Sequence, residues 1–283
     1  MKNTFGFIGT GNMGGALAKG AAKTMAGGSV FLSDGNAAKA EALADALGCQ
    51  AVTVAEAAAC GYVFLGVKPQ HLPGLMQELA PILAAREDDF VLVSMAAGVA
   101  MADIRRLAGG DYPVIRIMPN TPAAVGSGVI LYDTTENVSQ EALQQFLTNM
   151  AKCGWLDPLP EKLIDAGSAV SGCGPAFVCL FMEALADGGV LCGLPRDKAL
   201  AYAARTLEGT AKLLLETGDH PGKLKDAVCS PGGSTIVGVK ALEAGGLRSA
   251  AIHAVEAAYV KTDRKSTRLN SSHRCTSRMP SSA

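Results

Sequence analysis

The stretch Thr4–Gly14, TFGFIGTGNMG, decides the fold. Its apolar beginning, Thr4–Ile8, predicts a buried strand, and the residues that follow fit the pattern Gly-x-Gly-x-x-Gly at Gly9, Gly11 and Gly14. In such a turn the first glycine permits a tight bend, the second lets a pyrophosphate approach the backbone, and the third lets a helix pack closely on the strand. We therefore predict a dinucleotide-binding unit at the start of the chain. The alternative is a glycine-rich turn that only packs.

Composition and charge restrict the class of protein. A chain of 283 residues that is 49% hydrophobic and 18% charged fits a folded α/β or α protein of one large or two ordinary domains. A formal net charge of -1 gives no indication of nucleic-acid binding. No uninterrupted apolar run reaches about 18 residues, so we expect no membrane span. There is no Cys-x-x-Cys pair and no histidine cluster, so we expect no metal. A predicted strand follows the first few residues, and no signal-peptide pattern is seen there. This absence predicts a cytoplasmic protein with reduced cysteines.

Short apolar runs alternate with amphipathic stretches in the first half of the chain. This alternation predicts βαβ units and a mostly parallel sheet. The predicted strands are Thr4–Ile8, Val30–Ser33, Tyr62–Gly66, Phe90–Ser94, Val114–Met118, Gly128–Tyr132 and Gly154–Leu156. The predicted helices between them are Gly14–Thr24, Ala37–Leu47, Pro69–Leu83, Met101–Leu107 and Ser139–Lys152.

The pattern changes after Pro160, where strand signals stop. Long helical patterns bounded by Gly or Pro follow, at Gly174–Cys192, Pro195–Thr217, Pro221–Val228, Thr235–Glu243 and Gly246–Val260. We therefore predict an α/β protein: an N-terminal Rossmann domain with a mostly parallel sheet at 1–158, then an all-α dimerisation domain at 159–263 that buries its apolar surface against a second copy. Residues 264–283, rich in Ser and Arg and without acidic residues, predict a disordered, non-native tail.

Asp34 follows the second predicted strand, about 20 residues after Gly14. An acid at this position suits the ribose 2′-hydroxyl of NADH and repels the 2′-phosphate of NADPH. Ser33, Asn36 and Lys39 would hold a 2′-phosphate if Asp34 turned away. Alternatively, Asp34 is a turn residue or the N-cap of the next helix. The sequence leaves both NADPH and NADH open as cofactors.

Three further loops follow predicted strands at the edge where an open α/β sheet binds ligands, namely 66–70, 95–98 and 118–122. In the first, Lys68 faces a phosphate or the substrate carboxylate, or is solvated. In the third, Asn120 and Thr121 offer an amide and a hydroxyl near the expected nicotinamide, or form a capped turn between two prolines.

The chain resembles the pyrroline-5-carboxylate reductases in seven segments that occur in family order: GFIGTGNMG, VKPQ, SMAAGV, RIMPNTP, SGCGPAF, GLPRDKA and HPGKLKDAVCSPGGSTI. The resemblance spans about residues 4–262, and the last segment is the most specific. It implies reduction of (S)-1-pyrroline-5-carboxylate to L-proline, the last step of proline biosynthesis, with NADPH or NADH. It also implies a homodimer, which in some members assembles into a decamer.

The resemblance assigns roles to individual residues. It places the substrate carboxylate on Ser230, Gly233 and Ser234, and the catalytic hydroxyl of Thr235 on the imine nitrogen. Glu161 matches a further substrate-side position. The cofactor-binding positions are matched by Gly9, Gly11, Asn12, Met13, Val67, Lys68, Pro69, Ala96, Ala97, Gly98 and Asn120, to which the spacing argument adds Ser33 and Asp34.

This sequence departs from the family at Cys173 and Phe177, where Ser and Tyr are common, and at Thr53, where some relatives have Asn. Two alternatives stay open: another imine or β-hydroxyacid reductase of the same architecture, and a nucleotide-sensing module without catalysis. β-Hydroxyacid enzymes carry a lysine on the helix that opens the second domain, and Ser171–Phe177 contains none. A sensing module would need no loop of hydroxyl groups.

Overall fold

The computed structural model describes the backbone of residues 1–274 and the side chains of residues 1–262. It divides into two compact units. The first unit comprises Met1–Cys173 together with the chain from Ala258 onward, and the second unit comprises Gly174–Ala257.

The first unit is built on one sheet of eight strands: β1 (Phe5–Ile8), β2 (Val30–Ser33), β3 (Gln50–Ala51), β4 (Tyr62–Leu65), β5 (Val91–Ser94), β6 (Val114–Met118), β7 (Gly128–Thr134) and β8 (Gly154–Pro158). Their order across the sheet is β3-β2-β1-β4-β5-β6-β7-β8. All neighbouring strands are parallel except β6 and β7. The strand order reverses at β1, and such a switch point is where an open α/β sheet binds its ligand.

Helices cover both faces of this sheet and bury two apolar cores. They are α1 (Asn12–Ala21), α2 (Ala37–Leu47), α3 (Val54–Ala58), α4 (Leu72–Ala84), α5 (Met101–Ala108), α6 (Gln140–Met150) and α7 (Glu161–Ser171). Along β4, Tyr62 and Phe64 enter one core, while Val63 and Leu65 enter the other. This period of two, with both faces apolar, is typical of a strand inside a parallel sheet.

The second unit is helical, with α8 (Gly174–Leu191), α9 (Arg196–Thr217), α10 (Pro221–Ala227), α11 (Ser234–Ala244) and the beginning of α12 (Leu247–Arg274). Ala186 is the buried residue of α8, whereas Leu180 and Leu191 are 66% and 89% exposed. Within the stretch Glu161–Leu191 a window of 18 residues has a mean hydropathy of 1.6, and by length and composition this is the one helical stretch of the described residues that could cross a membrane. The sequence expectation considered only uninterrupted apolar runs, and glycine, serine and charged residues interrupt this stretch.

The predicted elements agree closely with the structure, and the bounds of β2, β6 and α2 are identical to it. The sequence does not predict β3 or α3, because these elements have two and five residues and are too short to show a hydrophobic period. α12 runs to Arg274, beyond the predicted boundary at 263. No glycine or proline lies between Leu247 and Met279, so the sequence holds no residue that ends a helix there. Residues 275–283 of the predicted tail lie outside the described residues.

The helix α7, which the sequence analysis also lacks, belongs to the first compact unit. Its Ile164 is buried with Met118 and Leu131 of the sheet. The first segment of this unit therefore runs through α7 to Cys173, and the predicted boundary at 158 lies before this helix.

Candidate active site

The glycine-rich turn between β1 and α1 has a geometry that its glycines make possible. Gly9 has a φ of 100°, and a Cβ on Gly14 would lie 2.1 Å from the Gly9 carbonyl oxygen. A Cβ on Gly11 would meet nothing within 4 Å, so the turn is open on the side from which a pyrophosphate approaches. Gly11 is also the N-cap of α1, which has neither a side-chain cap nor an acidic residue in its first turn. The turn therefore fits a dinucleotide pyrophosphate, with free N–H groups to bind it.

The other predicted residues near this turn have different degrees of exposure. Asn12 and Met13 are the first two residues of α1, exposed and half-buried respectively. Ser33 is only 2% exposed, and its carbonyl accepts the N–H of Gly9 at 2.7 Å. Ser33 thus supports the turn through its backbone, while its hydroxyl is buried.

Asp34 joins the end of β2 to the glycine-rich turn. Its Oδ2 accepts the N–H of Thr10 at 2.7 Å and the hydroxyl of Thr10 at 3.0 Å, while Oδ1 accepts the N–H of Asn36 at 3.0 Å. Partial burial raises the pKa of Asp34, but these hydrogen bonds and the nearby charge of Lys39 outweigh it and place the pKa below its ordinary value. Asp34 is therefore an ionised turn residue, and its Oδ1 keeps acceptor capacity for a hydroxyl.

The loops after β4 and β5 reach the same edge of the sheet, because Leu65 is the register partner of both Ile8 and Ser94. In the first loop Lys68 is exposed and Val67 is half-buried, and Pro69 begins a short 3-10 helix.

The loop after β5 holds the third group of predicted cofactor residues. Gly98 adopts a φ of 71°, Ala96 is buried and Ala97 is exposed. The structure therefore brings the predicted cofactor residues of the first unit to one edge of the sheet.

Asn120 is buried, and both ends of its amide are bonded within the first unit. Its Nδ2 donates to the carbonyl of Ser171 at 2.9 Å, and its Oδ1 accepts the N–H of Val129 at 2.9 Å. The side chain thus fixes the loop after β6 to β7 and to the end of α7, and it does not cap the 3-10 helix Thr121–Val125 that Asn120 precedes. Its position beside a nicotinamide stays a prediction.

Glu161 is held by two donors at the beginning of α7. Its Oε1 accepts the N–H of Met101 at 2.7 Å and Nη1 of Arg116 at 3.2 Å. Arg116 also donates from Nη2 to Asp165 at 2.7 Å. Since the hydrogen bonds from both donors fall on the same oxygen, the carboxylate of Glu161 has a fixed orientation.

A cavity of about 400 Å³ lies beside Asp34 at the ends of β2 and β3, where the adenosine end of a dinucleotide would lie. Its lining includes Thr53 and the carboxyl-bearing residues Asp34, Glu41 and Glu56. Thr53 and Glu56 form a capping box at the start of α3: Oγ1 of Thr53 accepts the N–H of Glu56, and Oε2 of Glu56 accepts the N–H of Thr53 at 2.8 Å. Hydrogen bonds from Thr53 also hold the pKa of Glu56 below its ordinary value. A second cavity, of about 450 Å³, lies near Phe90 and Tyr112 and is lined by none of the predicted site residues.

A tight turn precedes α11 in the second unit and consists of Ser230, Pro231, Gly232 and Gly233. The N–H of Gly233 donates to the Ser230 carbonyl at 3.0 Å, and Gly232 has a φ of 68°. Proline at the second position and a left-handed glycine at the third are typical of a type II turn. A Cβ on Gly233 would lie 2.5 Å from Oγ of Ser230, so a larger residue there would displace the Ser230 hydroxyl.

The N-terminus of α11 carries free donors. Its N-cap, Gly233, provides no side-chain acceptor, and its first turn contains no acidic residue. The first N–H groups of a helix have no partner inside the helix, and they attract anions. Ser230, Ser234 and Thr235 are exposed around them. One short segment therefore combines backbone donors for a carboxylate with three hydroxyl groups.

The residues that sequence reasoning missed are those that hold the predicted ones in place. Thr10 occupies a variable position of the glycine pattern, so its residue type gives no signal. Gly66 directly follows β4, and a Cβ on this residue would lie 2.3 Å from the Gly9 carbonyl oxygen. Arg116 did give a signal, because it is a lone charge inside the buried strand Val114–Met118. Within the described part of the chain, no group of three or more His, Cys, Asp or Glu residues could hold a metal ion.

Two family models match the chain. One, described as pyrroline-5-carboxylate reductase dimerisation, matches residues 161–265, and its match begins at the first residue of α7. The other, described as NADP oxidoreductase, coenzyme F420-dependent, matches residues 4–98, which hold the glycine-rich turn and the first two cofactor loops.

Curated relatives and a solved structure resemble the chain over most of its length. Pyrroline-5-carboxylate reductase 3 of Macaca fascicularis is 40% identical over 260 residues, which cover 89% of this chain and 92% of the relative. Pyrroline-5-carboxylate reductase of Escherichia coli K12 is 39% identical over 272 residues, which cover 94% and 99%. The crystal structure of Plasmodium falciparum pyrroline carboxylate reductase with NADP bound has a TM-score of 0.81 at 29% identity, covering 92% of this chain and 97% of that one.

Proposed function

The chain belongs to the pyrroline-5-carboxylate reductase family, and from this premise we propose that it reduces (S)-1-pyrroline-5-carboxylate to L-proline with NADPH or NADH, the last step of proline biosynthesis. The observation that carries the proposal is the uncapped N-terminus of α11 behind the turn of Ser230–Gly233. It lies in the segment of the chain that resembles the family most specifically. A β-hydroxyacid dehydrogenase would instead need a lysine in Ser171–Phe177, which has none.

The substrate carboxylate is held by the turn. The N–H groups at the beginning of α11, together with the hydroxyls of Ser230 and Ser234, offer several donors to one anion without any cationic side chain. Gly233 keeps the backbone accessible because it adds no side chain. The nicotinamide, when bound, supplies a hydride to the C=N carbon while the nitrogen takes a proton, so that the imine becomes a secondary amine and the cofactor is oxidised.

Thr235 acts on the imine nitrogen. A threonine hydroxyl is far too weak an acid to protonate the imine by itself, but a cyclic imine is basic enough to be partly protonated by water near neutral pH. The hydroxyl of Thr235 therefore orients the nitrogen or relays a proton to it. By analogy with other positioned donors, its loss should lower the rate about 100-fold or more.

The cofactor lies along the carboxyl edge of the sheet of the first unit. Gly9, Gly11, Asn12 and Met13 surround its pyrophosphate, and Asp34 lies at the adenosine ribose. The remaining contacts come from Ser33, Val67, Lys68, Pro69, Ala96, Ala97, Gly98 and Asn120, and Glu161 completes the substrate side. The open space at Gly11 supports this placement, since a Cβ there would meet no protein atom within 4 Å.

The enzyme acts as a homodimer through residues 161–265, the segment that the dimerisation model matches. The exposed apolar side chains of α8, among them Leu180 at 66% and Leu191 at 89%, form the kind of surface that a partner covers. We assign the apolar stretch Glu161–Leu191 to this interface rather than to a membrane, and the enzyme to the cytoplasm without a resident metal. Light scattering would separate a dimer from a decamer, at two or ten times the chain mass of 28.9 kDa.

A turnover assay tests the proposed function against both alternatives. Purified protein should consume NADH or NADPH, followed at their absorbance maximum, only when pyrroline-5-carboxylate is added, and the product should be L-proline by amino-acid analysis. Oxidation of a β-hydroxyacid with NAD or NADP, without imine reduction, would favour the first alternative. Dinucleotide binding without turnover of any imine would favour a sensing module.

A further inference from the structure

We infer that the adenosine end of the cofactor site selects NADH over NADPH, with Glu41 and Glu56 as specificity-determining residues beside Asp34. The inference rests on the proposed function, because it concerns the same dinucleotide site. Its basis is the cavity of about 400 Å³ at the ends of β2 and β3, which all three residues line.

Asp34 is fixed in the orientation that opposes a 2′-phosphate. Its two hydrogen bonds from Thr10 tie it to the glycine-rich turn, and its bond from Asn36 closes a local turn. To turn away and leave room for a phosphate, the carboxylate would have to break all three. It therefore stays at the ribose, where it accepts a hydroxyl and repels an anion.

Glu41 and Glu56 add negative charge from two other elements, α2 and α3. Glu56 has a fixed position, because its Oε2 accepts both the N–H and the hydroxyl of Thr53 at 2.8 Å. It also occupies the N-terminus of α3, which is therefore not free to bind a phosphate. A neutral ribose diol can enter this cavity, whereas a 2′-phosphate brings about two further negative charges.

The positive charge near the cavity is too small to reverse this effect. Lys39 lies 3.8 Å from Oδ2 of Asp34 and is about half exposed. Its positive charge therefore mainly offsets the negative charge of that carboxylate. The N-terminus of α2 contributes about half an elementary charge. Against three carboxylates, one ammonium and the N-termini of α2 and α3, at about half an elementary charge each, still leave the cavity negative.

Direct binding measurements test the inference without relying on turnover. Titration calorimetry should give a dissociation constant for NADH at least about 10-fold lower than that for NADPH at low salt. The ratio should shrink as salt rises from about 0.05 to 0.5 M, because screening weakens the repulsion of the phosphate. Adenosine 5′-monophosphate and adenosine 2′,5′-bisphosphate should show the same order, which assigns the discrimination to the 2′ position.

Glutamine substitutions identify the residues responsible. The double variant Glu41→Gln/Glu56→Gln should lower the ratio of the NADPH to the NADH dissociation constant at least about 3-fold, because it removes two charges. Glutamine at 56 keeps the capping box, since this motif accepts Glu or Gln. The control Glu78→Gln removes one negative charge by the same type of substitution on the exposed surface of α4, away from the cavity, and should leave the ratio unchanged.

Equal or tighter binding of NADPH by the wild-type protein would overturn the inference. An unchanged ratio in the double variant would also overturn it, by showing that Glu41 and Glu56 do not discriminate. These results are distinguishable from a failure of the proposed function, in which the folded protein reduces pyrroline-5-carboxylate with neither dinucleotide.

Discussion

The buried guanidinium of Arg116 donates a hydrogen bond of 2.7 Å from Nη2 to the carboxylate of Asp165, and so ties the centre of β6 to α7. The same guanidinium contacts Glu161 through Nη1. Arg116 itself is only 4% exposed at its side chain. The first residue of the matched dimerisation segment is thus anchored on the sheet that carries the cofactor loops.

Replacing Arg116 by methionine should lower the free energy of unfolding by about 3 kcal/mol, because it leaves two carboxylates without their partner. Because Asp165 and Glu161 are 24% and 28% exposed, we expect a loss of unfolding free energy at the low end of the range for breaking a buried salt bridge. Urea unfolding at fixed protein concentration, followed by circular dichroism, measures it.

Arg205→Met is the matched control for this prediction. Arg205 and Glu208 form a pair on α9 with side chains 82% and 65% exposed, and such pairs contribute less than about 1 kcal/mol. Equal losses of stability in the two variants would contradict the anchoring role of Arg116.

Alanine at Gly11 should weaken dinucleotide binding at least about 10-fold while leaving stability nearly unchanged. The new Cβ meets no protein atom within 4 Å, but it occupies the space through which the pyrophosphate approaches. Calorimetric titration with NADH and a urea melt measure the two effects separately. The same change at Gly74, on α4 with equally open space, should stabilise the helix by about 0.5–1 kcal/mol and leave binding unaffected. Unaltered affinity in Gly11→Ala would argue against the pyrophosphate turn.

Much of the first unit could be predicted from the sequence, because each apolar run or amphipathic stretch determines its own element. The strands at Val30–Ser33 and Val114–Met118 have bounds identical to the predicted ones. The rest depends on partners distant in sequence. Thr10 and Asp34 are 24 residues apart, and Arg116 and Asp165 are 49 apart. Neither pairing follows from local periodicity.

The residues of the candidate site can likewise be predicted from the sequence only in part. The hydroxyl turn at 230–235 is one contiguous segment, so its sequence displays all of its groups. For Asn120, by contrast, the sequence leaves open an amide near the nicotinamide or a capped turn, and its two internal hydrogen bonds depend on where Ser171 and Val129 lie in the fold.

The stability of the protein should fall at alkaline pH, in part through Cys153. Burial raises the pKa of this thiol to about 12, against about 8.5 in an unfolded chain. Between these values the folded state binds the extra proton, so the free energy of unfolding falls as pH rises through this window and is unaffected below it.

Cys153→Ala removes the titrating thiol. The free energy of unfolding should then decrease less steeply with pH, by up to about 1.4 kcal/mol per pH unit. Urea unfolding at several pH values from about 8 to 11 measures the slope. A wild-type slope in Cys153→Ala would contradict the assignment.

Arginine at Leu180 should break the proposed homodimer, because it places a charge in an apolar surface that a second copy would cover. Light scattering after size exclusion should show the mass falling toward the 28.9 kDa of one chain. Val125 is 76% exposed and lies outside the matched segment, so Val125→Arg should keep the oligomeric mass of the wild type. An unchanged mass in Leu180→Arg would exclude this face of α8 from the interface.

In the proposed reaction a single uncharged hydroxyl, that of Thr235, acts on the imine nitrogen. The most direct test is kcat/KM for pyrroline-5-carboxylate in Thr235→Ala compared with Thr235→Ser and the wild type. Thr235 is exposed in α11, so all three proteins should have the same free energy of unfolding within about 0.5 kcal/mol. We predict that kcat/KM falls about 100-fold or more in the alanine variant and that serine restores most of it. A kcat/KM for Thr235→Ala within about threefold of the wild type, in folded protein, would contradict the account.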